Sequence, residues 1–298
     1  MDVGRAVRPL AVAGALASAV SVLLIVTVAA LGPSAAVPQL PGAGSLPWHL
    51  DAAPDPILVA TLHTAAILLG AAGTLACWAA VGRGWAPRPR RLIAAGAMAV
   101  GILVPLPPVG SADVLIYAAY GRIAATGADP YRTEPYDYAR AGDPVAKAVL
   151  PPWRRSASAY GPLATAEQRL IAEVAGPSPR RAVALLMFVN GAAFLAAGLL
   201  LDRVAARRRV RGRDGPDHGS ADSGSAESEV VNSGTADCEA VHARRRVALL
   251  WTANPLLLHQ LVAGGHLDAI VVVAVAGGLL LLARSGLLAG AALGAAAA

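Results

Sequence analysis

One short stretch of the chain sets a carboxylate and two phenols on a common side. Residues 113–127 read DVLIYAAYGRIAATG. At helical spacing Asp113, Tyr117 and Tyr120 stand at i, i+4 and i+7 and share one face. Arg122 follows about one turn further on. A carboxylate in the first turn of a helix is kept ionised by the helix dipole. There it can take a proton from an attacking hydroxyl. The same place suits a plain N-cap, with Ser111 or Asp113 accepting backbone N–H bonds. Spacing alone leaves both readings open.

Two further elements carry polar chemistry. The string GGHLDAIV puts His266 and Asp268 after two glycines at the mouth of an apolar run. Ionisable groups at such a mouth are functional candidates, with interfacial solvation as the plain alternative. The string ASAYGPL (157–163) places Tyr160 before a Gly-Pro turn. All six tyrosines fall between residues 108 and 180, with Trp153 and the acids Asp113, Asp129, Glu134, Asp137, Asp143, Glu167 and Glu173. Aromatic faces beside carboxylates suit a sugar, whose C–H faces stack on rings and whose hydroxyls donate to carboxylates. An interfacial aromatic belt has the same composition. Asp113, Asp129 and Glu134 have oxygen donors for a divalent ion, but their spacing is no recognised metal motif. Cys77 and Cys238 form no CxxC, so a structural zinc site is not expected. His49, His63 and His259 lack sequence partners and read as structural.

The elements that hold these residues are membrane helices. Of 298 residues, 56% are hydrophobic and only 15% charged, which excludes a soluble globular domain. Seven apolar spans are predicted, at 10–31, 57–81, 92–107, 181–202, 247–263, 267–283 and 286–298. Pro105, Pro107 and Pro108 shorten the third. Asn254-Pro255 predicts a kink in the fifth. The apolar run at 286–298 predicts that the chain is the N-terminal part of a larger protein. Arginines cluster at Arg5 and Arg8, at Arg83–Arg91, at Arg203–Arg213 with Arg244–Arg246, and at Arg284. Strict alternation puts them all on one side, which the positive-inside rule makes cytoplasmic. The expected protein is multi-pass in the plasma membrane, with a cytoplasmic N-terminus and loops 32–56 and 108–180 outside. The organisation is helices 1–4 over residues 1–209, a disordered cytoplasmic insert over 210–243, and helices 5–7 over 244–298. The insert is rich in Gly, Ser, Asp and Glu. The fold class is an all-α polytopic membrane bundle, with short interfacial helices in the long outer loop.

The strings DVLIYAAYGRIAATGADPY, PPWRRSASAYGPL and LLWTANPLLLHQLVAGGHLDAIVV, in this order, resemble the actinobacterial polyprenol-phosphate-mannose-dependent α-1,6-mannosyltransferases. The likeness covers roughly residues 90–285. It rests on an aspartate opening a Tyr-rich helix, a GxDPY turn, a W-R…YGP element and an NP…GH-x-D element. The family commonly reads GHND where this chain has His266-Leu267-Asp268, so the middle position departs.

The resemblance implies a GT-C architecture and a polyprenyl-phosphate-mannose donor with its chain in lipid. It implies a mannan acceptor of the lipomannan and lipoarabinomannan core, reached at the outer face. No other cofactor and no nucleic acid is implied, and metal dependence stays open. The chain has no glycine-rich phosphate loop, which agrees with a donor that is not a nucleotide sugar. Asp113 is then the catalytic base. Tyr117, Tyr120, Arg122, Arg154, Arg155, Tyr160, His266 and Asp268 are the substrate-binding residues, with the arginines and His266 facing the phosphate. A lipid-linked sugar transporter, a non-catalytic envelope scaffold, and a related transferase for another sugar such as arabinose remain the alternatives.

Overall fold

A computed structural model of the protein describes residues 3–42, 44–211, 238–282 and 285–297. The described residues are helical throughout their ordered elements, with one isolated bridge between Ser34 and Val37. Most of the insert expected at 210–243, with Arg213 and His218, and the residue Arg284 lie outside the described residues. Helix resumes at Cys238, so 238–243 belong to the next helix rather than to an insert.

Helices α1 (Val3–Leu31) and α2 (Pro56–Gly82) form an antiparallel pair. A side chain at Gly14 would strike Cys77, one at Gly73 would strike Ser18, and one at Gly70 would strike Ser21. Small residues therefore face small residues along the middle of the seam. Lipid tails give no hydrophobic drive between helices, so such close approach is what holds them together. Ser21 Oγ donates to the Ala66 carbonyl across the seam at 2.6 Å. The outer faces carry exposed Leu16, Val20, Leu23, Leu68 and Leu75. Toward the 32–55 loop end of the pair, Ile25, Val28 and Val59 are buried instead. Asp55 starts α2 by accepting from the Ile57 and Leu58 amides, with Pro56 at the first helical position.

Helix α3 (Pro89–Leu103) spans 15 residues. That is about 22 Å of rise, short of a ~30 Å hydrocarbon core. Four short helices then fill the 108–180 loop: α4 (Asp113–Ala125), α5 (Pro135–Arg140), α6 (Pro144–Lys147) and α7 (Pro162–Ala175). The sequence predicts surface helices here. Helix α4 departs from that: it is buried from Val114 through Tyr120. Helix α7 covers one flank and α6 and α8 (Pro179–Arg211) others, so α4 is part of the core. It is α7 that presents apolar residues outward, at Leu163, Leu170 and Val174.

Helix α9 (Cys238–Ala263) is irregular, with wide turns at Ala248–Thr252 and Leu258–Ala263 on either side of Asn254-Pro255. The expected kink is there. Helices α10 (Asp268–Leu281) and α11 (Gly286–Ala297) complete the described chain. Axes α9 and α10 turn by 117° at the 264–267 break. Contacts along α8 show a reversal: Arg244 meets Asp202 and Asn190 meets Gly265, then Arg207 meets the Leu280 carbonyl. Among the described residues three helices are long and apolar enough to cross a membrane alone, namely Val7–Leu31, Pro56–Gly82 and Pro179–Arg207. Helices α9 and α10 pass the same test only as a bent pair, whose two ends both lie at the Arg207 end of α8; seven spans were expected. The third and seventh expected spans fall short by length, and the fifth and sixth form the bent pair.

Helices α4 and α7 meet at Gly121, where any side chain would overlap the Gln168 carbonyl. Gly121→Ala must push α7 off α4. It is expected to cost about 1–3 kcal/mol by overpacking. A lowered melting temperature of the purified protein in detergent checks this, and an unchanged melt would show that the interface is not tight.

Candidate active site

The start of α4 is held by backbone from two sides. The Val109 amide donates to the Ala263 carbonyl at the end of α9, and the Gly110 amide donates to Ala36 in the 32–55 loop, each at 2.8 Å. Gly110 sits at φ +82°, a conformation open to glycine. Ser111 Oγ accepts from the Asp113 amide at 3.1 Å. The helix-start hydrogen bond thus comes from Ser111, and the Asp113 carboxylate is left to face His266. Asp113 Oδ2 lies 3.6 Å from His266 Nδ1. The carboxylate is one-third exposed while the imidazole is mostly buried.

His266 is aimed by the turn between α9 and α10. Asn190 Nδ2, on α8, donates to the Gly265 carbonyl at 2.9 Å. Gly265 has φ +69°, and a side chain there would press on Met187 and Val114. The far ring nitrogen of His266 lies 3.1 Å from Gln260 Nε2. Asp268 opens α10 two residues later.

The phenols close the other side. Tyr117 and Tyr160 meet edge to face at 5.1 Å, and Tyr120 lies tilted 6.2 Å from Tyr160. Tyr120 Oη donates to the Ser156 carbonyl at 2.9 Å, which ties the 156–160 segment to α4. Burial first, and then neighbouring Tyr160, pushes Tyr120 up to about 12. Burial also pushes Tyr117 and Tyr160 up, and the carboxylates of Asp113 and Asp268 add to it. All three phenols therefore stay protonated at neutral pH. Asp113, Tyr117, Tyr120, Tyr160, His266 and Asp268 gather in one place, from α4, the loop before α7 and the start of α10.

The arginines go elsewhere. Arg122 Nε donates to Asp143 Oδ2 at 2.9 Å, and Asp143 also caps α6. Arg154 donates to the Val149 and Lys147 carbonyls. Arg155 lies over the Tyr136 ring at 4.3 Å. Each is engaged in holding the 108–180 loop together. Arg180 has a similar role that its sequence context does not signal: it donates to the Pro47 carbonyl at 2.6 Å and lies 3.4 Å from His49. His63 and His259 need correction, because they are partners of each other, with their Nε2 atoms 2.8 Å apart. Among the described residues no group of three or more His, Cys, Asp or Glu side chains is arranged to hold a metal ion.

Residues 11–215 match the family model described as alpha-(1->6)-mannopyranosyltransferase, N-terminal domain. The chain belongs to this family. It is thereby a glycosyltransferase of the mannosyltransferase kind. No curated protein and no solved structure matches it. The match takes in Asp113 and the three phenols of the cluster, whereas His266 and Asp268 lie beyond it.

A carboxyl group outside this cluster has an unusual setting in the mannosyltransferase. Both oxygens of Glu167, on α7, are buried without a hydrogen-bond partner. Burial pushes its pKa from 4.5 to about 7. Between these two values the folded state holds a proton that the unfolded chain has released. Stability therefore falls as pH rises through that window. Glu167→Gln is expected to melt with the wild type near pH 4.5 and above it at pH 8. A melting difference that does not change with pH would contradict the buried acid.

Proposed function

We propose that the chain transfers mannose from a polyprenyl-phosphate-mannose donor to an α-1,6-mannan acceptor, with inversion at C1 and Asp113 as the general base. The observation that carries this reading is the Asp113–His266 pair opposite the Tyr117–Tyr160 phenols. The acceptor hydroxyl gives its proton to the Asp113 carboxylate as its oxygen attacks C1. The bond from C1 to the phosphate oxygen breaks on the far side, and its electron pair leaves with the phosphate. His266 lies within reach to orient the carboxylate. The phenol rings offer faces to the sugar, and protonated Oη groups offer donors. Asp268 is the second carboxylate available for sugar hydroxyls.

The arginine distribution supports a cytoplasmic N-terminus and a site on the outer face. Arg83, Arg88, Arg207 and Arg244 lie at the helix ends opposite Asp113. A lipid-linked sugar transporter is the second reading. The observation favouring it is the irregular, sharply turned α9–α10 pair, since broken helices line transport sites.

The test uses membranes containing the protein, radiolabelled polyprenyl-phosphate mannose and a short α-1,6-mannoside. Asp113→Asn at matched expression is expected to lower transfer by about 10²–10⁴-fold. Wild-type transfer with a harmless substitution would move the base to Asp268. No transfer by wild type, with movement of the labelled lipid across the membrane, would favour the transporter.

A further inference from the structure

The geometry points to a second subsite beside Asp113: we propose that His63 and His259 bind the phosphate of a lipid-linked substrate whose apolar chain lies in the groove between α1 and α3. This rests on the lipid-phosphate donor reading above.

The two histidines come from helices 196 positions apart, yet their Nε2 atoms lie 2.8 Å from each other. His63 stands two turns inside α2, and His259 is buried near the end of α9. Ionisable side chains at membrane depth are costly and face interior sites. One N–H joins the pair, so at least one ring nitrogen acts as acceptor there. The accepting ring carries its own N–H on Nδ1, and that N–H can donate to an anion's oxygen. A phosphate oxygen supplies the acceptor for that N–H.

The pair adjoins the reaction site. Gly110 packs directly on both rings: a side chain there would lie 3.1 Å from His63 and from His259 Nε2. Two residues, Ser111 and Ala112, separate Gly110 from Asp113, a reach of at most about 11 Å. One hexose between a phosphate and a base fits within that limit.

The groove supplies the third part. Its volume is about 480 Å³, and it runs beside Val22 and Val26 on α1 and Ala95 and Ile102 on α3. Ser18, Cys77 and Trp85 carry the few polar side-chain atoms of a lining that is otherwise aliphatic. Leu258, next to His259, forms one wall. The proposal places the chain in the groove, the phosphate at the histidines beyond Leu258, and the sugar at Asp113.

The experiment measures binding by the purified full chain in detergent, with farnesyl phosphate, farnesol and inorganic phosphate as probes. His63→Gln and His259→Gln are each expected to weaken farnesyl phosphate at least about 10-fold and to leave farnesol unchanged. Together they are expected to do little more than either alone, because removing one partner already breaks the pair. Ala95→Trp fills the groove without touching the histidines. It is expected to weaken farnesyl phosphate and spare inorganic phosphate, and it serves if a histidine variant melts early. Farnesyl phosphate binding that ignores the histidine substitutions would overturn the subsite. Inorganic phosphate binding as tightly as farnesyl phosphate would overturn the groove's part in it. Wild type that binds no prenyl phosphate but still transfers mannose would overturn the subsite while leaving the transferase standing. Failure of both would remove the donor reading with it.

Discussion

Hydrocarbon offers no partner to a free backbone group, so every break in a membrane helix must be repaired by protein. The α9–α10 region is the place where this constraint shapes the molecule. At Asn254-Pro255 the side chain of Asn254 accepts from the Leu256 amide and donates to the Leu250 carbonyl. Thr74 reaches across from α2 to the same Asn254 oxygen. At the 263–265 turn, the Val109 amide takes the Ala263 carbonyl and Asn190 takes that of Gly265. These repairs fasten α9 to α2, α8 and the start of α4. His266 faces Asp113 because of them.

The same repairs explain why the site is assembled from distant parts of the chain. Helix α4 is a core element, with its phenols and Asp113 at one end of the bundle. The 156–160 segment is brought in by Tyr120 holding the Ser156 carbonyl. The arginines of the 108–180 loop are engaged in its internal structure, above all Arg122 with Asp143. The loop that looked like a binding surface is a scaffold as well.

Much of this was legible in the sequence. The shared face of Asp113, Tyr117 and Tyr120 follows from helical period, and the break at Asn254-Pro255 follows from proline's missing amide. The all-helical membrane class follows from composition. The number of independent spans was not legible, because hydropathy shows apolar length and not whether two runs form a bent pair. Nor was the His63–His259 pair, since each histidine stands alone in an apolar run and only tertiary packing joins them. Arg122 was misleading for a similar reason: its partner Asp143 lies 21 positions on, and nothing local announces it. The burial of α4 was missed because its covering helix α7 lies some forty residues later.

The α1–α2 seam has a bearing on how the protein is made. Its small-to-small contacts join two consecutive helices, linked by residues 32–55. A growing chain has both halves of this hairpin long before α9 is synthesised. The pair can dock while the ribosome is still at work, and α2 then presents His63 and Thr74 on a preformed wall. Biogenesis would run from a local hairpin toward the long-range closure by α9, and the Asp113–His266 cluster would be among the last parts to take shape.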